Sequence, residues 1–342
     1  MTKRYLGNII TQNPTPPADN YETTSANGVW SLAEALSYTK SGLWPTAGNA
    51  APTSFFASGR DTNGDITNSI DTVFFATTGN ATDFGDMITG RERLGGTSSS
   101  TRGVFGGGVN GGVTQATIEY ITLATAGNAT SFGNLTKGLQ NPENNRRAFA
   151  SSTRAVFGGQ DMEYITIAST GNSIGWGSYF DYFYSAAASS PTRGILAAGQ
   201  NGSTRHNVIN YYTIATAGTQ TDFGDTTLAR RGLCGASNST RAIFSGGETS
   251  SAYTNVMDYI TIASTGNATD FGDLINNLGD SPASTAGPTR LIVAGGGAYP
   301  LRYDMIQYVT IATTGNAIDF GDLTTARVAS DGCSNAHGGL AA

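Results

Sequence analysis

Six copies of one short phrase run through this chain of 342 residues: Asp83-Phe84-Gly85-Asp86, Ser131-Phe132-Gly133-Asn134, Gly175-Trp176-Gly177-Ser178, Asp222-Phe223-Gly224-Asp225, Asp270-Phe271-Gly272-Asp273 and Asp319-Phe320-Gly321-Asp322. Ahead of each lies an apolar run such as Tyr259-Ile260-Thr261-Ile262-Ala263, usually joined to the phrase by Thr-Gly-Asn or Ala-Gly-Asn. Further upstream stands Thr-Arg, at Thr101-Arg102, Thr153-Arg154, Thr192-Arg193, Thr240-Arg241 and Thr289-Arg290. The first copy has Thr53-Ser54 ahead of Phe55-Phe56. With Ser54 on the arginine position, the copies start at 54, 102, 154, 193, 241 and 290, spaced 48, 52, 39, 48 and 49 residues. A chain built this way must make the same substructure six times and bury each copy against its neighbours.

Each copy reads as four short strands. Small residues precede Thr-Arg, as in Arg231-Gly232-Leu233-Cys234-Gly235-Ala236, and suit the crowded inner end of a wedge. The second strand follows Thr-Arg, as in Ala242-Ile243-Phe244-Ser245, and ends at Gly246-Gly247. The Tyr-Ile-Thr-Ile-Ala run is the third strand, and the Asp-Phe-Gly-Asp phrase is the fourth. β-Branched and aromatic residues bounded by Gly, Asn, Ser and Thr are strand signals. The third run is apolar on both faces, which suits a sheet packed between two other sheets. Four strands at a period near 48 predict an all-β fold, a six-bladed β-propeller over residues 51–342. The first copy begins at its second strand, and the chain ends in a further first strand, Ala329-Ser330-Asp331-Gly332-Cys333-Ser334. Aligned from Arg327 onto Arg230, that C-terminal strand closes the ring. Leu43-Trp44-Pro45-Thr46-Ala47-Gly48 is a competing candidate for the same place.

The pattern resembles kelch repeats, which have an arginine before the first strand, a glycine pair after the second, a tyrosine in the third and an aromatic in the fourth. Arg230 or Arg231, Gly246-Gly247, Tyr259 and Phe271 show it in one copy, with Phe in most copies where kelch has Trp. Alternating strand direction puts the short, near-identical 1–2 and 3–4 turns on one face of the disc. The longer and more varied 2–3 and 4–1 connections share the other, the expected recognition face. The first strand present and the closing strand both open onto the short-turn face, so both termini are expected to leave there.

Residues 1–50 differ in composition and are expected to form an anchoring arm. Asn13-Pro14-Thr15-Pro16-Pro17 is an extended linker. Ser31-Leu32-Ala33-Glu34 is a capping box that opens one short helix to about Lys40. Leu32 and Leu36 give that helix an apolar stripe flanked by Trp30 and Trp44, which either packs on the propeller or docks on another subunit. Gly28-Val29-Trp30-Ser31-Leu32 and Gly42-Leu43-Trp44-Pro45, with the run Tyr259 to Leu274, resemble segments of virion structural and tail-fibre proteins of marine bacteriophages, cyanophages among them. The resemblance implies a virion protein assembled in the host cytoplasm. It would be present in several copies and held by the arm to other virion proteins.

Charge and chemistry narrow the partners. A net charge of −6 offers no footprint for nucleic acid or an anionic membrane, and no apolar stretch is long enough to span a bilayer. No secretory leader is read behind Met1. Two cysteines make neither a disulfide framework nor a four-thiolate zinc site, and Cys234 and Cys333 are expected as buried free thiols. His206, in a predicted 2–3 loop, and His337 have no nucleophile or paired carboxylate beside them, so no catalytic residue is assigned. The recurrent Asp-Phe-Gly-Asp reads as a turn and capping element. Asp61-Thr62-Asn63-Gly64-Asp65 has the opening spacing of a calcium loop, but Thr72 stands where the bidentate Glu is needed, so no metal or cofactor is assigned. The glycine pairs lack a following Lys-Ser/Thr and read as strand ends.

One copy departs from the rest. The third has almost no 2–3 loop and carries Tyr179-Phe180-Asp181-Tyr182-Phe183-Tyr184 in its 4–1 connection. Tyr179, Phe180, Tyr182, Phe183 and Tyr184 either fill the vacated space or form a platform for sugar rings or a protein partner. The expected function is a non-enzymatic tail-fibre or tail-associated propeller contacting host surface glycan or protein. The alternatives are a capsid-attached decoration or head fibre, and a polysaccharide-degrading propeller enzyme.

Overall fold

The computed structural model describes residues 51–136, 147–159, 161–177, 182–216 and 218–340. The expected helix with Trp30, Leu32, Leu36 and Trp44, the competing segment 43–48, and Tyr179 and Phe180 lie outside them. The chain divides into two compact units, Met1–Ala51 and Pro52–Ala342, and the second is described here. Its elements are six antiparallel blades of four strands arranged as a β-propeller, with Arg327–Val328 a fifth strand in the sheet of blade 1 and two small two-stranded sheets besides. Blade 2 is typical, with Gly95–Ser98 innermost, then Arg102–Gly106, Thr117–Thr122 and Thr130–Asn134 at the rim. The inner strands Ala148–Ala150, Ala186–Ser189, Cys234–Ser237 and Ala283–Ala286 open blades 3 to 6. Blade 1 takes its inner strand from Asp331–Ser334, with Ser54 opposite Ser334 and Ala57 opposite Asp331, so the expected C-terminal closure is observed. Each inner strand touches the next all the way round.

Strand register corrects one alignment. Arg102 pairs with Thr122, and the equivalent pair in blade 1 is Thr53 with Phe74. Thr53, not Ser54, therefore holds the arginine position, and the first interval is one residue longer than the sequence spacing gave.

There is no single core. Six apolar clusters sit one per joint between blades, for example Ile195, Phe223, Leu233 and Phe244 between blades 4 and 5. A second example is Phe55, Phe84, Leu94 and Phe105 between blades 1 and 2. Every sheet is buried on both faces, so few positions are left for charge. Three ion pairs lie in the interior: Arg91 with Glu119, Arg230 with Asp258 at 2.6 Å, and Arg327 with Asp71. These are equivalent positions in blades 2, 5 and 1. Blade 6, with Gly279 at the arginine position, carries the neutral Gln307 for the acid. A buried guanidinium without its carboxylate would be strongly destabilising, which accounts for the joint change.

The repeated phrases are joint hardware. The turn after each third strand docks on the rim strand of the preceding blade. Asn128, Asn172, Asn267, Asn316 and Asn80 accept the amide protons of Asp86, Asn134, Asp225, Asp273 and Asp322 at 3.0–3.1 Å. The rim glycine lies against the turn glycine of the next blade, and a Cβ on Gly272 would stand 2.5 Å from the Gly315 carbonyl oxygen. The expected turn-and-capping element is thus a weld between blades. The Thr-Arg arginines strap the same joints: Arg102, Arg154, Arg193, Arg241 and Arg290 each donate to two carbonyls of the next blade, as Arg241 does to Ile311 at 3.0 Å and Ala312 at 2.9 Å. Each guanidinium also lies over the tyrosine of its own third strand, at 4.5–4.7 Å. That tyrosine meets the rim aromatic edge-on, as Tyr259 meets Phe271. Blade 1 has neither the arginine nor the tyrosine, and pairs Phe55 with Phe84 in their place.

The joint between blades 3 and 4 is the exception. Gly177, unlike the rim glycines of the other blades, has nothing within 4 Å of where a Cβ would stand, and Thr219 stands where the other turns carry asparagine. The weld residues have changed on both sides at once, while the Arg154 strap and the buried Trp176 remain.

Candidate functional site

The short turns share one face, the turn face, where Thr53 and Asn335 hold each other by two hydrogen bonds. The other, crown face carries the connections of differing length. They include the Asp61–Asp65 turn, a hairpin from Val109–Asn110 to Val113–Thr114, and a second from Gly297–Ala298 to Leu301–Arg302. Asp61 spends a carboxylate oxygen on the amides of Asn63 and Asp65, as a turn does.

At the centre of the crown face the chain enters the inner strands of blades 1, 2, 4, 5 and 6 through a left-handed residue: Ala329, Arg93, Tyr184, Gly232 and Ser281, with φ between 54° and 65°. Each of these residues after blade 4 is tied to its neighbour. Gly232 donates to Tyr184 at 2.8 Å, Ser281 to Gly232 at 3.0 Å, Ala329 to Asp280 at 3.0 Å and Arg93 to Ala329 at 2.8 Å. Strained backbone repeated in five blades is architectural: it builds an annulus of peptide groups around the channel mouth. Deeper in the channel, Arg147 reaches Asp331 at 3.4 Å and donates to the carbonyls of Ser185 and Leu233. Burial pushes the Asp331 carboxyl above its usual range, against the pull of Arg147 and the amides of Gly96 and Gly332.

Beyond that pair lies a cavity of about 50 Å³ lined by Gly, Ala, Ser and Thr of the inner strands, with Phe149, Cys333 and His337. It has room for a few waters. Its far end is crossed by residues 335–340. His337 Nε2 lies 2.9 Å from the Ser98 carbonyl oxygen, and its Nδ1 accepts the Gly339 amide at 3.1 Å, which assigns the neutral Nε2–H tautomer. Gly338 and Gly339 lie so close to carbonyls of Asn238, Ser189 and Ala150 that no side chain fits. The chain thus does not simply leave the turn face after the closing strand, as its alignment suggested. It folds back as a plug, and burial lowers the His337 pKa to about 4.

Tyr182, Phe183 and Tyr184 are half-buried on the crown face. Tyr182 lies 4.4 Å from the ring of His206, which sits in the strand Thr204–Thr213 where a loop was expected. Phe183 exchanges backbone hydrogen bonds with Gln200. Tyr184 lies under two guanidiniums, Arg93 at 5.3 Å and Arg231 at 5.6 Å. Cys234 and Cys333 are buried free thiols whose pKa values burial raises, Cys234 to about 11.

Sequence reasoning missed the charged residues around the annulus. Arg60 holds Glu92 bidentately at 2.8 Å. Glu248 is shared by Arg231 at 2.7 Å and Arg205 at 2.9 Å, and Arg231 also donates to Gln200. Asp280 lies in the field of Arg93, Arg302, Arg231 and Glu92. Among the described residues no group of three His, Cys, Asp or Glu is spaced to hold a metal ion, and no helix is long and apolar enough to cross a membrane. No protein-family model and no curated protein matches the chain. The fold and this mouth define it as a β-propeller with a charged crown.

Proposed function

We propose that this protein is a structural propeller of a bacteriophage virion, carried on a tail or tail-associated fibre by residues 1–50 and presenting its crown face to the host surface. The observation that carries the reading is the pairing of two sequence resemblances with a two-faced ring. The arm segment Gly28 to Pro45 and the Tyr259 to Leu274 run resemble phage virion proteins. The chain enters the ring on the turn face, beside Asn335, while the variable connections stand on the opposite face. Attachment on one side and display on the other is the geometry a fibre-borne receptor module needs.

Immunogold electron microscopy of purified particles with antibody to the propeller tests the reading. Label at tail fibres is expected, and recombinant full chain should compete with phage adsorption. Label on the head would move the protein to a decoration role, and its absence from purified particles would end the virion reading.

A further inference from the structure

Among the described residues, five guanidiniums, those of Arg60, Arg93, Arg205, Arg231 and Arg302, stand around the annulus against three carboxylates, Glu92, Glu248 and Asp280. The surplus is positive in a chain whose net charge is −6. The surplus is also localised. Arg60, Arg205 and Arg231 are held in ion pairs, whereas Arg93 and Arg302 have none among the described residues. Both lie in the field of Asp280 without an ion pair to it, and Nη1 of Arg302 is buried with no hydrogen-bond partner. Arg93 is fixed from below, its amide on Ala329 and its guanidinium over Tyr184. A guanidinium is a planar fork matched to a carboxylate, and a recessed mouth with low-dielectric walls strengthens that match.

We infer that this funnel binds a carboxylate-bearing saccharide, with Arg93 and Arg302 as the two groups that take its carboxylates. That the ligand is anionic follows from the unspent guanidiniums. That it is a saccharide rests on the host-attachment reading above. The ligand lies over the annulus and does not enter the channel, which Arg147 and Asp331 cross two residues deeper.

The test is calorimetric titration of oligogalacturonate into the full chain, with neutral maltooligosaccharide and polyglutamate as comparison ligands. Oligogalacturonate should bind, more weakly as salt is raised, and maltooligosaccharide should not. R93Q and R302Q should each weaken binding about tenfold or more, since each removes a charge-assisted contact. R93K and R302K keep the charge but lose the fork, and should fall between. Unfolding temperatures of the variants check that the ring is intact. Absence of oligogalacturonate binding, binding indifferent to all four variants, or binding of polyglutamate alone would each overturn the inference. The host-attachment reading fails separately. If the R93Q/R302Q double variant still blocks phage adsorption as the native chain does, attachment stands and this site falls. If oligogalacturonate binds through these arginines but the native chain never blocks adsorption, the site stands and attachment falls.

Discussion

Protonation of His337 should loosen the ring from the turn face. The imidazole is held neutral, with Nε2–H directed at the Ser98 carbonyl and Nδ1 receiving the Gly339 amide. A proton added to Nδ1 would face another donor, the Gly339 amide. The pKa falls from 6.5 to about 4, and at 1.36 kcal/mol per unit the neutral form is favoured by about 3 kcal/mol. Because the folded pKa is depressed, the unfolded chain takes up the proton first. The contribution is therefore complete above about pH 6.5 and is lost as pH falls towards about 4. About 3 kcal/mol is a ceiling, since a plug that undocks alone truncates the linkage at its own docking free energy. Asp331, with its carboxyl raised by burial, works in the opposite sense, so a variant must isolate the histidine. H337Q is that variant: its amide can donate to Ser98 and accept from Gly339 without titrating. Urea denaturation across the acid range should show native stability falling relative to H337Q, with the two alike near neutrality. The chain has two histidines, so the imidazole carbon-bound protons are readily assigned by NMR against H337Q. A His337 midpoint near 6.5, or parallel pH profiles for the two proteins, would refute the reasoning.

Three further outcomes follow from the joints. R241A removes two charge-assisted hydrogen bonds and a ring contact, and should cost about 2 kcal/mol in urea unfolding. G272A drives a methyl into the Gly315 carbonyl and should cost about 1–3 kcal/mol, whereas G218A, with open space around it, should fall within about 0.5 kcal/mol of the native chain. Hydrogen exchange followed by mass spectrometry should be faster at the rim strand of blade 3, Ile174–Gly175, than at the welded rim strands of the other blades. Equal exchange at all six rims would remove the idea of a weak joint.

The ring was legible because inter-blade contacts demand the same residue at the same place. A rim glycine, a turn asparagine and a strap arginine each recur for a reason that can be stated as a distance. Where the hardware is missing the alignment slipped: blade 1 has no strap arginine, and Ser54 took a position that belongs to Thr53. The annulus was not legible, since the five blades described there contribute five different residues and its regularity lies in backbone dihedrals. Arg147 and Asp331 occupy the inner-strand position held by Gly95, Ala186, Cys234 and Ala283 in other copies. Two opposite charges there are a departure that a residue-exact alignment would have exposed. The plug has no periodicity, and only its fit against five blades explains it.

The closing strand also sets a schedule. Ser54 and Ser334 pair across almost the whole propeller, so blade 1 lacks its inner edge until residues 331–334 have been made. Until then the growing polypeptide is an open stack of sheets, with one flank of blade 1 and one of blade 6 bare. Local hairpins form quickly, but this last pairing carries the largest loop-closure entropy in the molecule. The amide link from Arg93 to Ala329 waits on the same event, so the crown mouth takes shape only when the ring does. An interrupted copy would thus be a sticky fragment with no mouth, and not a smaller working disc.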